Sequence, residues 1–163
     1  LNEEALALAR WKGLSLRATL ALHDLGDTLR LTASRLDEDD PERQTLIEQA
    51  LDRYAACVRA AEALDLESTA YLVRFKEAIA RVTRDDTTGI ETLVTRLTAP
   101  AEAAGLGLAA PCAHLITAWA HVREGSPEQA RSALEGARIL EAFQIDPQFP
   151  AIFAEIRAHL EAE

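Results

Sequence analysis

The stretch PCAHLITAWAHVREGSPEQARSALEGARILEAFQID, residues 111–146, decides the fold of this chain. It reads as two helices joined by a tight turn, in which Gly125 ends the first helix, Ser126 caps the second and Pro127 occupies its first turn. Small residues and one Leu stand where two antiparallel helices must approach closely: Ala118, Gly125, Ala130, Leu134 and Ala137. The stretch therefore predicts an antiparallel helical hairpin.

Length and composition predict one all-α domain spanning residues 1–163. No Pro/Gly/Ser-rich linker divides the 163 residues. A 48% hydrophobic fraction rich in Ala and Leu, with 7 Gly and 5% aromatic residues, favours closely packed helices over a sheet. Because the chain begins at Leu1 and contains no Met, we expect it to be a fragment of a longer protein.

The charge of the chain bears on its partners. A net charge of −10 opposes binding to nucleic acid or to anionic membranes, because both attractions require clustered Lys and Arg. The most apolar run, residues 106–122, is broken by Pro111 and carries His114 and His121, so it falls short of the roughly 20 apolar residues that span a bilayer. We therefore expect a protein or peptide partner, with neither nucleic acid nor membrane bound by this domain.

The cysteines indicate the cellular compartment of the protein, and the basic residues indicate the kind of genome that encodes it. Cys57 and Cys112 lack the spacing of a disulfide framework or a zinc site, which favours free thiols in a reducing cytoplasm. Nearly all basic residues are Arg, which is typical of a GC-rich bacterial genome.

The first third of the chain leaves its helix pairing open. One apolar series recurs at helical spacing, and a second flank lies beside it, so we expect this helix to be contacted from two sides. Gly26-Asp27 is either part of one long helix or a turn between two shorter ones. The first series is Leu14, Ala18, Leu22, Leu25, Leu29, Ala33 and Leu36, and the second is Leu16, Leu20 and Leu31.

The rest of the chain alternates between helical patterns and turns. An acidic loop at residues 37–41 precedes a helix over residues 42–64, and further helices begin near Glu67 and Ile90. A one-sided helix over residues 150–162 has the pattern of a cap. We predict seven or eight helices in antiparallel hairpin pairs.

The spacing of Ala118, Gly125, Ala130 and Ala137 resembles the tetratricopeptide repeat. The large aromatic residue that the family carries near the start of the first helix is replaced here by His114. Two further correspondences, Ile90 with Ala130 and Ala78 with Ala118, are 40 residues apart, which is longer than the roughly 34-residue unit of the family. The resemblance implies a right-handed superhelix of helical hairpins.

The resemblance also implies a binding face. It places two groups of residues on the concave side, one from the middle of the chain and one from the hairpin. Alternatively, these residues form the core of a short stack of helices that closes on itself. Tetratricopeptide domains that bind a peptide's terminal carboxylate use Asn and Lys on the inner face. Apart from Asn2 the chain has no Asn, so the resemblance argues against this kind of recognition. The two groups are Leu72, Phe75, Ile79 and Val82, and Cys112, Leu115, Trp119, Val122 and Arg123.

The chain carries no motif for catalysis. It has no nucleophile elbow, phosphate loop or dinucleotide fingerprint, so we predict neither an enzyme nor a cofactor. His114 and His121 are seven residues apart, about 10 Å along a helix, whereas histidines that share a metal from one helix are four apart. No metal site is predicted.

The expected function is that of a protein- or peptide-binding regulatory or scaffold domain in a larger bacterial signalling or transcription-regulatory protein. The resemblance supports this, since such regulators attach helical repeats to separate effector domains. Two alternatives are a self-association domain and a small-ligand or metal-binding bundle. Trp119 is the predicted anchor if it lines a groove; otherwise it is core.

Overall fold

The computed structural model describes residues 2–143 and 145–162, with the side chains of residue 11 and of residues 13–162 other than 144. Within these ranges all regular secondary structure is helical and no strand is present, which confirms the all-α class and the predicted number of helices. The helices are α1 (Asn2–Ala33), α2 (Pro41–Ala63), α3 (Glu67–Thr83), α4 (Ile90–Ala103), α5 (Ala109–Arg123), α6 (Pro127–Ala137) continued by a 3₁₀ turn (Arg138–Ala142), and α7 (Phe149–Glu161).

Four successive helices end in the same way. The residue after the cap is left-handed in each case: Asp65 (φ 55°), Asp85 (φ 61°), Gly105 (φ 95°) and Gly125 (φ 68°). After α5, the amide of Ser126 bonds the carbonyl of His121 at 2.8 Å and that of Gly125 bonds Val122 at 3.0 Å, which is the Schellman arrangement. These ends recur every 20 residues, so a two-helix unit recurs every 40.

This period agrees with the spacing expected from the sequence. Ala78 and Ala118 lie at matching points of α3 and α5, and Ile90 and Ala130 lie at the starts of α4 and α6. All four side chains are fully buried. The correspondence therefore marks equivalent packing positions in two consecutive hairpins.

The helix starts are capped unevenly. Asp40 caps α2, because its carboxylate accepts the amide hydrogen of Glu42 at 2.8 Å. Ser126 stands at the predicted cap position of α6 and Pro127 follows in the first turn, but the Ser126 side chain makes no capping hydrogen bond. The turn before α6 is thus held by the backbone bonds that end α5.

α1 is one continuous helix, so the alternative of a turn at Gly26 is wrong. Gly26 is instead a point of close approach, since a Cβ added there would lie 2.6 Å from the ring of Tyr54 in α2. We expected α1 to be contacted from two sides, but its described residues pack against the domain on one side only. Leu22 and Leu29 pack against the smaller core, whereas four leucines that we expected to be covered are exposed: Leu14, Leu16, Leu20 and Leu25.

Two hydrophobic cores run through the domain and meet at α3. The smaller core joins α1, α2 and one side of α3, and the larger joins the other side of α3 to α4, α5, α6 and α7. α7 packs on α5 and α6, in the position expected of a terminal cap. In the part of the chain that the structure describes, no helix is both long and apolar enough to cross a membrane.

Candidate functional site

The odd-numbered helices form one layer of the domain. Each helix contacts the next along the chain, and α1 also contacts α3, α3 contacts α5, and α5 contacts α7. Residues 145–149, which lead into α7, lie beside α3 and α5 and are bonded to α1. We call the side of α1, α3, α5 and α7 that faces residues 145–149 the inner face.

A buried guanidinium holds residues 145–149 against α1. Arg30 is fully buried, and its Nη2 donates to Asp146 Oδ2 at 2.7 Å while its Nη1 donates to Gln148 Oε1. Its Nε donates to the Tyr54 hydroxyl at 3.0 Å. A buried charge is tolerated only when it is paired and hydrogen-bonded. These bonds therefore fix the position of residues 145–149 on the inner face.

Asp27 extends this cluster to α3. Its carboxylate accepts hydrogen bonds from the Tyr54 hydroxyl, at 2.6 Å, and from the Lys76 ammonium. Burial alone would raise the pKa of Asp27, but the hydrogen bonds from Lys76 and Tyr54 outweigh it, and the pKa is lowered. We call Asp27, Arg30, Tyr54, Lys76, Asp146 and Gln148 the Arg30 network.

An apolar pocket of about 290 Å³ opens beside this network. Its walls come from α3 and α5, its rim from the loop between α4 and α5, and its far side from residues 145–149. The apolar part of the α3 wall is formed by Leu72, Phe75 and Ile79, and the α5 wall includes Cys112 and Ile116. We call this cavity the apolar pocket.

The charged groups at its edge are already engaged. Lys76 is bonded to Asp27, and Asp146 is bonded to Arg30. Burial raises the pKa of the Cys112 thiol to about 12, so this side chain is a neutral, unreactive part of the wall. The pocket therefore offers hydrophobic contacts to a ligand, and among the described residues no unpaired charge at its edge requires a charged group on that ligand.

A second cavity, of about 370 Å³, lies on the other side of residues 145–149. Trp119 and Arg123 of α5 line it together with Gln148. The Trp119 side chain is buried, and its indole Nε1 has no hydrogen-bond partner among the described residues. We call this cavity the polar pocket.

Arg123 is the centre of an ion-pair cluster at the edge of the polar pocket. Its Nη1 lies 2.7 Å from Glu38 and 3.0 Å from Asp85, and its Nε lies 2.8 Å from Glu155. Burial would lower the pKa of Arg123, but these carboxylates raise it. The guanidinium also lies over the Trp119 ring, 5.7 Å from its centre. Arg123 thus joins the first interhelical loop, the end of α3 and α7.

The structure divides the predicted binding residues among three environments. Leu72, Phe75 and Ile79 line the apolar pocket, as does Cys112, while Trp119 and Arg123 border the polar pocket. Val82, Leu115 and Val122 are buried in the larger core. A single continuous groove through all of these residues is not formed.

The histidines of α5 make local contacts. The His121 ring lies 3.4 Å from Glu124 and 3.6 Å from Glu91. The His114 ring packs on Gly136 of α6, where an added Cβ would overlap it. Over the described ranges, no three His, Cys, Asp or Glu side chains are grouped as a metal would require. Both cysteines are free.

The sequence did not reveal the residues that organise this site. Arg30, Asp146 and Gln148 are each ordinary polar residues in sequence, and Arg30 is separated from its partners by 116 and 118 positions. The available signal was weak: Arg30 lies four residues after Gly26, on the face of α1 that packs against α2.

No protein-family model, curated protein or solved structure matches this chain.

Proposed function

We propose that this chain is a protein- or peptide-binding regulatory or scaffold domain of a larger bacterial protein, built as a right-handed superhelix of hairpins similar to tetratricopeptide repeats. Contacts between each helix and the next, together with contacts among the odd-numbered helices, support a solenoid arrangement. The free cysteines are consistent with a cytoplasmic setting.

The observation that carries the proposal is the apolar pocket on the inner face. Three of the predicted binding residues, Leu72, Phe75 and Ile79, form one of its walls. Its volume of about 290 Å³ is at the lower end of the range for drug-sized ligands and suits about one or two large apolar side chains. Such anchors are how an amphipathic peptide binds a helical groove.

The paired charges at the rim narrow the class of partner. Because Lys76 and Asp146 are already neutralised within the Arg30 network, a charged group entering the pocket would lose hydration without gaining a partner. We therefore propose a partner segment that inserts Leu, Ile, Phe or Met and keeps its polar residues outside.

A blocking substitution tests this proposal. Gly107 lies on the pocket rim, and a Cβ added there meets no atom within 4 Å, so Gly107→Leu should fill the entrance without disturbing the helices. We expect peptides selected from a random library on the wild-type domain to share an apolar anchor, and Gly107→Leu to weaken their binding by about 2 kcal/mol or more in fluorescence anisotropy.

The matched control is Gly13→Leu, because Gly13 also has no atom within 4 Å of an added Cβ and lies on α1, away from the pocket. It should bind the same peptides as the wild type does. Failure of any peptide to be enriched, or equal binding by Gly107→Leu and the wild type, would contradict the proposal.

A further inference from the structure

α1 carries an exposed seam with heptad spacing. Seven positions of this helix follow one another at alternating intervals of three and four residues, which is the pattern of the contact line in a coiled coil. All seven side chains are exposed. We call these residues the α1 seam: Trp11, Leu14, Ala18, Ala21, Leu25, Thr28 and Thr32.

The α1 seam lies on a flank of α1, beside the face that packs against the domain. Gly26, Arg30 and Ala33 face α2 and α3, and the seam lies roughly a third of the way around the helix from them. Trp11 is 58% exposed and Leu14 is 67% exposed. Single exposed apolar residues are common on protein surfaces, whereas an aligned row of them indicates an interaction surface.

The seam is complementary to itself when two helices run antiparallel. In that arrangement the first and fourth heptad positions of one helix face the fourth and first of the other. Leu14 then lies opposite Leu25 of a second copy, and Ala18 lies opposite Ala21. The alanines at the centre allow close approach of the two helices, and the leucines on either side pack against each other across the interface.

The charges beside the seam favour the same register. Arg17 and Asp24 occupy the same flanking heptad position, so the antiparallel register places Arg17 of each copy beside Asp24 of the other. Arg17 has no ion-pair partner among the described residues, and the carboxylate of Asp24, 79% exposed, contacts only the ring of His23. A parallel pair would place these charges beside Leu22 and Leu29 instead.

We propose that two copies of this domain associate through antiparallel contact of their α1 seams. The proposal is independent of the apolar pocket, because no residue of α1 lines that pocket. It predicts two apolar Leu14–Leu25 layers and two Arg17–Asp24 ion pairs per dimer, related by a two-fold axis near the middle of α1.

Charge reversal tests both the association and its direction. By sedimentation equilibrium we expect the wild type to be a dimer at high micromolar concentration. R17D and D24R should each raise the dissociation constant about tenfold or more, because each replaces two attractions with two repulsions. The double variant R17D/D24R restores both opposite-charge pairs and should return the dissociation constant to near the wild-type value.

Two controls separate association from folding. R53D places the same charge reversal on an exposed residue of α2 and should leave the dissociation constant unchanged. L14E changes the seam itself and should give a monomer. At a concentration low enough for the wild type to be monomeric as well, the circular dichroism and melting temperature of the two should match, since Leu14 is exposed within one copy.

Cross-linking checks the register directly. Under oxidising conditions L14C mixed with L25C should form a disulfide-linked pair, while neither variant alone should do so. A wild-type monomer at high micromolar concentration would overturn the proposal. So would a double charge reversal that fails to restore the dimer, or disulfides formed by L14C alone.

Discussion

Trp119 shows how one residue can border a cavity and still belong to the core. It is 2% exposed and packs within the larger core, with Arg123 lying over its ring. Of the two roles considered from the sequence, the burial favours the structural one. Its unpaired indole nitrogen adds no hydrogen bond that a substitution would break.

We therefore expect Trp119→Ala to lower the free energy of unfolding by roughly 3–5 kcal/mol, because a large cavity replaces a well-packed ring. Urea denaturation at neutral pH measures this. Exposed Trp11→Ala is the matched control and should change stability little in the monomer. A Trp119→Ala variant with wild-type stability would return Trp119 to the candidates for partner contact.

At the scale of the helices, the four left-handed ends are occupied by two glycines and two aspartates. Glycine adopts positive φ without a Cβ penalty, whereas other residues lose about 1–2 kcal/mol there. Asp85 gains a contact with Arg123 at 3.0 Å, but Asp65 is exposed and makes no such ion pair among the described residues. The end of α2 is thus the least favourable of the four.

We expect Asp65→Gly to raise the free energy of unfolding by up to about 1 kcal/mol, and Gly125→Ala to lower it by about 1–2 kcal/mol. Differential scanning calorimetry should show melting temperatures that move in opposite directions. If Asp65→Gly is destabilising, the left-handed assignment at this end is wrong.

At the scale of the whole molecule, the Arg30 network links α1, α2 and α3 to the segment before α7. Burial opposes ionisation of Asp27, yet Lys76 and Tyr54 lower its pKa below the ordinary value of 3.8. A carboxyl whose pKa is lower in the folded state stabilises the fold above its unfolded pKa and loses that contribution as the pH falls through the folded pKa.

We therefore expect Asp27→Asn to reduce stability clearly at about pH 6, and progressively less as the pH falls below the ordinary Asp pKa of 3.8 and through the lowered pKa of the folded state, where the wild-type carboxyl becomes protonated. Urea midpoints across this range measure the difference. Asp52→Asn, an exposed residue of α2, is the control for general charge effects. If the difference in free energy of unfolding between the wild type and Asp27→Asn stays constant with pH, this role of Asp27 is contradicted.

Helix class, turn positions and the 40-residue period were determined by the sequence alone. Hydrophobic spacing of three and four residues, a glycine at the end of α5 and prolines in the first turns of α2 and α6 act within one or two helical turns, so they can be recognised without knowing the fold. The same spacing placed Leu72, Phe75 and Ile79 on one face of α3, and these three side chains line the apolar pocket.

Only the tertiary structure decided which apolar faces are covered. Trp119 and Leu14 lie on similar helical patterns, yet one is buried and the other exposed, because exposure depends on the neighbouring helix and not on spacing. The path of residues 145–149 likewise depends on Arg30, more than a hundred positions away. A buried charge takes whichever partners the packing brings to it, and local sequence does not encode that choice.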